Sequence, residues 1–126
     1  MKKTSLDAGS IIFEMLSNDR EVMKRANKVF PVSDADAKLP YVIYRRSELE
    51  HSPAKPQGAD AVTMNVQCFA AKYRESVELA EAVRAALDYK EGSIDGLRMR
   101  SCTLVGGSED WGNNAYVQEL VFNIKI

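Results

Sequence analysis

Residues 61–88 change period within one stretch, from two to 3.6, and no other part of the chain restricts its fold so tightly. In Ala61-Val-Thr-Met-Asn-Val-Gln-Cys-Phe-Ala, the residues Val62, Met64, Val66 and Cys68 fall on one face and Thr63, Asn65 and Gln67 on the other. That is the alternation of a strand with one wet face. From Tyr73 the period becomes helical. At ~100° per residue, Tyr73, Val77, Leu79, Ala80, Val83, Ala86 and Leu87 share an arc, with Arg74, Glu75, Glu78 and Glu81 opposite. Such a helix covers an apolar surface, most simply the dry face of a sheet that contains the preceding strand. Arg84 falls inside this arc, beside Tyr73 and Ala80. Its stem is expected to lie on the sheet with the guanidinium reaching Asp88 one turn later. The functional alternative is an ion pair between subunits.

The remaining elements arrange themselves around that unit. Residues 6–16 read as a first helix, with Ser5 or Asp7 as cap and Ile11, Ile12, Met15 and Leu16 on one side. Asn18-Asp-Arg-Glu21 has the form of a capping box for a short second helical turn. Residues 29–33 read as an extended piece that Pro31 confines to an edge or a strand end. Tyr41-Val-Ile-Tyr begins a second strand. Residues 51–60 carry two prolines and a glycine between strands, the sign of a loop that projects beyond the sheet. Gly92 is expected to end the long helix, and residues 94–105 to form one strand closing at Gly106-Gly107. Residues 106–114 then read as a polar hairpin loop carrying Trp111, and residues 116–126 as a well-covered terminal strand. The result is an α+β fold: a single domain over residues 1–126, with a mostly antiparallel sheet packed against an N-terminal helix and a helix over about 73–89.

Composition narrows the function classes. At 126 residues the chain suits one core. A hydrophobic share of 45% and a charged share of 28% disfavour disorder and membrane insertion. No apolar run approaches the ~20 residues of a bilayer span, and Met1-Lys-Lys-Thr-Ser lacks a signal-peptide core, so cytoplasmic residence is expected. The 17 Lys and Arg nearly balance the 18 Asp and Glu and are scattered, which disfavours sequence-specific nucleic-acid binding.

No residue set carries catalysis. His51 is the single histidine, which excludes a multi-histidine metal site and a histidine-dependent triad within one chain, and it reads as a solvated loop residue. Cys68 and Cys102 lack ligand spacing and fall in strand patterns, so buried, inert thiols are expected. Asp34 with Asp36, and Glu48 with Glu50, lack a third ligand type and read as solvated. Gly106-Gly107 is followed by no lysine and no helix, and is not a phosphate loop. Trp111 either folds back on the sheet edge or stands exposed as an interface anchor. The expectation is a protein without cofactor or metal that is not an enzyme.

Read in order, Val29-Phe-Pro, Leu39-Pro-Tyr-Val-Ile-Tyr, Val66-Gln-Cys-Phe-Ala-Ala-Lys-Tyr, Ala80-Glu-Ala-Val-Arg-Ala-Ala-Leu-Asp and the closing strand from Tyr116 span nearly the whole chain. In this order and spacing the chain resembles the tail completion proteins of long-tailed bacteriophages and prophages, the head-to-tail joining or tail terminator group. The resemblance implies a homo-oligomeric ring, usually a hexamer, at the head-proximal end of the tail tube. It also implies the tail tube protein and the head connector protein as partners, DNA passing through the lumen, and a location first in the host cytoplasm and then in the virion tail. A ring requires two different patches on each subunit. His51, Lys55 and Gln57 of the projecting loop, together with Arg84 and Trp111, are the candidate interface residues. The alternative from another class is a small dimeric α+β module that binds a ligand or regulates, using its sheet face and the same loop.

Overall fold

In the structure, a computed structural model describing residues 2–33, 36–53 and 60–126, the Thr4 hydroxyl oxygen caps a 3-10 turn, Ser5–Asp7. The turn leads into α1, Ala8–Ser17. Asp7 sits at the N-cap of α1 without capping its backbone; it accepts from the Ser10 hydroxyl at 2.6 Å and pairs with Lys3. Helix α2, Arg20–Arg25, is capped by Asp19, whose carboxylate accepts from the Val22 amide at 3.0 Å. The expected capping box is therefore displaced by one residue, and Glu21 pairs with Arg25 instead.

Among the described residues seven strands follow: β1, Lys28–Pro31; β2, Tyr41–Glu50; β3, Ala61–Ala70; then, after helix α3, Tyr73–Leu87, β4, Gly92–Ile94; β5, Leu97–Met99; β6, Ser101–Gly112; and β7, Ala115–Lys125. Five strands form one sheet in the order β1-β2-β3-β7-β6, while β4 and β5 pair separately. Only β1 and β2 run parallel. The α+β reading and the mostly antiparallel sheet hold, and Pro31 does end an edge strand.

The dry face is the one the alternation gave. Val62, Met64, Val66 and Cys68 are fully buried, and with Val42, Phe122 and Ile124 they meet Ile11, Ile12 and Leu16 of α1 and Leu79, Val83 and Leu87 of α3. Burying each such aliphatic side chain contributes about 1.5–3 kcal/mol before conformational entropy is counted. The helices lie on this face, and the face bearing Thr63, Asn65, Gln67 and Phe69 carries none of them.

Three expectations are corrected. Residues 94–105 are not one strand, because Asp95 (φ 47°) and Gly96 (φ 88°) make the left-handed two-residue turn that Asp-Gly favours, separating β4 from β5 before β6 begins. Helix α3 ends at Leu87, with Tyr89 left-handed at φ 63°, whereas Gly92 lies in β4 against Ile11 and Met15. The buried stripe of α3 is Ser76, Leu79, Ala82, Val83, Ala86 and Leu87, and Tyr73 and Arg84 are exposed. The short Ser76 and Ala82 side chains, rather than Tyr73, turn toward the core. Ser76 is tolerated there because its hydroxyl donates to the Tyr73 carbonyl at 2.6 Å and accepts from Gln118 at 3.3 Å.

Candidate assembly interface

Residues 106–112 are strand rather than loop. β6 continues to Gly112, and the hairpin closes on Asn113 and Asn114 alone, at φ 51° and 61°. Glycines at 106 and 107 weaken a strand signal, but the geometry at 107 requires one: a Cβ there would sit 2.6 Å from the Glu119 carbonyl oxygen. β6 is the outer strand, and all its residues from 105 to 112 are exposed. A register shift between Leu104 and Gly106 leaves Val105 bulged and 60% exposed. Bulges and charges are the usual means of keeping such a free edge from pairing indiscriminately.

Aromatic side chains gather at the end of the sheet where β3 and β6 finish. On the helix side, Trp111 packs on Tyr116 with ring centroids 4.5 Å apart, and Tyr73 meets Tyr116 edge-on at 5.7 Å. The Tyr73 hydroxyl and the Gln118 amide both donate to Glu109 Oε2 at 3.0 Å. These two bonds, Gln118 first, hold the Glu109 carboxyl below its ordinary value. The same carboxylate, by hydrogen bond and charge, raises the Tyr73 phenol. On the open face Tyr41 stacks on Phe69 at 4.8 Å and tilts against Phe30 at 5.4 Å.

The opposite end of the sheet carries a cleft whose charged lining is mostly cationic. Lys2, Lys3, Arg98 and Arg100 line this cleft of about 530 Å3 together with His51 and Asp60. Asp60 accepts from the Ser5 hydroxyl and, through its other oxygen, pairs with His51 Nδ1 at 2.5 Å. Those contacts, Ser5 first, lower the Asp60 carboxyl. Serine, histidine and aspartate thus meet, but the aspartate stands between the other two, so the imidazole does not touch the hydroxyl it would have to deprotonate. The trio fastens the N-terminal segment to the ends of β2 and β3.

The candidate residues are not brought together. His51 lies at the basic end, half exposed and paired rather than simply solvated. Trp111 lies at the aromatic end, both folded onto Tyr116 and 53% exposed. Arg84 is on the last turn of α3 with its Nε 3.6 Å from Asp88, as expected, and Asp88 accepts from the Leu104 amide at 2.9 Å next to the bulge. Lys55, Gln57, the part of their loop expected to project, and Asp34 of the Asp34–Asp36 pair lie outside the described residues. Sequence reasoning missed Tyr73, Glu109 and the basic cleft. For Glu109 the signal is the absence of any lysine or arginine between Arg100 and Lys125, a span with three carboxylates; Tyr73 and the cleft have no such local signal.

Both thiols are buried, and desolvation raises them, Cys102 to about 12 and Cys68 further. Among the described residues, no three His, Cys, Asp or Glu side chains gather as metal ligands. No helix of the described residues is long and apolar enough to cross a membrane.

The fold has counterparts of known structure. A chain of the virion of a native gene transfer agent particle superposes with a TM-score of 0.80 at 14% identity, covering 97% of this chain and 98% of that one. The bacteriophage SPP1 gp17 protein superposes with a TM-score of 0.63 at 18% identity, covering 97% and 88%. No curated protein sequence matches. The family model described as tail completion protein gp17 matches residues 11–126, and the chain belongs to that family of structural phage tail proteins.

Proposed function

We propose that the protein completes a phage or prophage tail as a homo-oligomeric ring, a hexamer, seated between the tail tube protein and the head connector protein. It is made in the host cytoplasm and carried in the virion tail. It acts by surface complementarity, without a cofactor or a catalysed reaction. The observation that carries this reading is the family match across residues 11–126. The exposed edge of β6, with Trp111 half exposed beside it, supports it, because a ring subunit needs a patch that is satisfied only by a neighbour. His51, Lys55, Gln57, Arg84 and Trp111 are proposed as interface residues.

The test is disruption of the gene in the phage or prophage that carries it, with the lysate inspected by electron microscopy. Filled heads and unattached tails, rejoined when the gene is supplied in trans, are the expected result. Intact infectious particles in its absence would sink the reading.

A further inference from the structure

Charge is divided along the β6–β7 hairpin by position. Between Arg100 and Lys125 the only charged residues are Glu109, Asp110 and Glu119. Glu109 and Asp110 sit near the tip of the β6–β7 hairpin beside Trp111, pointing to opposite faces of β6 because they are consecutive in a strand. The basic cleft lies at the other end of the same hairpin, where Lys125 pairs with Ser101. β7 has 11 residues, so tip and cleft are separated by roughly 35 Å at ~3.4 Å per residue. They cannot meet within one chain.

Among the cations of the cleft, Lys3 is held at 2.6 Å by Asp7, and Arg100 Nε donates to the Ile126 carbonyl at 3.1 Å. Arg98 is held more loosely, 3.8 Å from Glu91 with both side chains 68% exposed. A pair this long and this wet contributes little, so an incoming carboxylate can replace it. Arginine also stacks on indole faces. At the tip, the Asp110 carboxylate is engaged with the adjoining Trp111 amide at 2.7 Å, which leaves further acceptor positions on both oxygens.

We propose that the acidic, tryptophan-bearing end of β6 in one copy docks into the basic cleft of a second copy. An isologous contact would set acid on acid or base on base, so the two patches impose a head-to-tail sense, the kind of contact that closes into rings. The proposal rests on the ring reading and names the surfaces that would build it.

The test uses the full chain with Asp110→Arg and Arg98→Glu, both at exposed positions, and sedimentation from micromolar to millimolar concentration. Each variant alone self-associates at least about tenfold more weakly than the wild type. The two mixed, or both changes in one chain, recover wild-type association, because arginine at 110 then meets glutamate at 98. That recovery also shows that the variants are folded. Association of the wild type weakens as salt is raised. Oligomers whose mass ignores both reversals, or a mixture that stays dissociated, would overturn the proposal while leaving the ring standing. A wild type that is monomeric throughout would likewise overturn it, and the tail completion reading would still be judged on particles. Unchanged self-association, with duplex DNA binding lost only in Arg98→Glu, would assign the cleft to a phosphate backbone instead.

Discussion

The hydroxyl of Tyr73, the first residue of α3, donates to Glu109 on β6 at 3.0 Å, so the start of the helix is fastened to the free edge of the sheet. Glu109→Gln keeps an acceptor and removes the charge. Tyr73 is raised because ionising it would set a phenolate against a carboxylate. In the variant its titration moves down toward the ordinary tyrosine range, which an NMR titration of the labelled ring reads directly. An unmoved Tyr73 would mean that the bond is not formed in solution.

Ser76→Ala tests the same joint from inside the core. Ser76 is fully buried, and its hydroxyl links the Tyr73 carbonyl to Gln118 of β7. Removing it leaves Gln118 with Glu109 as its remaining acceptor. The cost is about 1 kcal/mol, a fall in melting temperature of roughly 2–8 °C. Helix propensity favours alanine by a few tenths of a kcal/mol, which offsets part of the loss without reversing it. A variant as stable as the parent would show that the link contributes nothing net.

What the sequence revealed followed from how local each signal is. The alternation of Val62, Met64, Val66 and Cys68 reports a face directly, and all four are buried. On the helical arc residue size and polarity mislead: Tyr73 looks like core and is held at the surface by Glu109, whereas Ser76 looks like surface and is buried by Gln118. The passage of β6 through Gly106-Gly107 is hidden in the sequence because the need for glycine at 107 comes from the Glu119 carbonyl across the ladder, a contact that no local pattern contains. The Asp95-Gly96 turn, by contrast, has a local signal in its dipeptide. The basic cleft draws on residues from both ends of the chain and from the β2–β3 junction, so its pieces look scattered in sequence.

Gly107→Ala probes the free edge by itself. The added methyl carbon would lie 2.6 Å from a backbone oxygen of β7, and no flexible side chain is available to yield. The strands must separate locally, at an overpacking cost of about 1–3 kcal/mol. Because the residues from 105 to 112 are exposed and pack little of the core, the damage stays local. Amide exchange accelerates in β6 and in the facing part of β7, while α1 and the Val62–Cys68 face keep their protection. Uniform acceleration throughout would instead show that the edge is an integral part of the core's cooperative unit.

The Ser5–Asp60–His51 contact sets a pH dependence whose sign can be worked out. Asp60 is lowered in the folded chain, chiefly by the Ser5 hydroxyl and then by His51. A carboxyl lowered on folding binds its proton more tightly when unfolded. It therefore stabilises the fold at pH above its unfolded value, about 3.9, and that contribution disappears as pH falls through the lower folded value. Asp60→Asn removes the titrating group and weakens the hold on residues 2–5. The difference in melting temperature between parent and variant should be present at mildly acidic pH and shrink below about pH 4, with other carboxylates cancelling in the comparison. A difference that persists unchanged into strong acid would show that Asp60 acts through packing rather than through its charge.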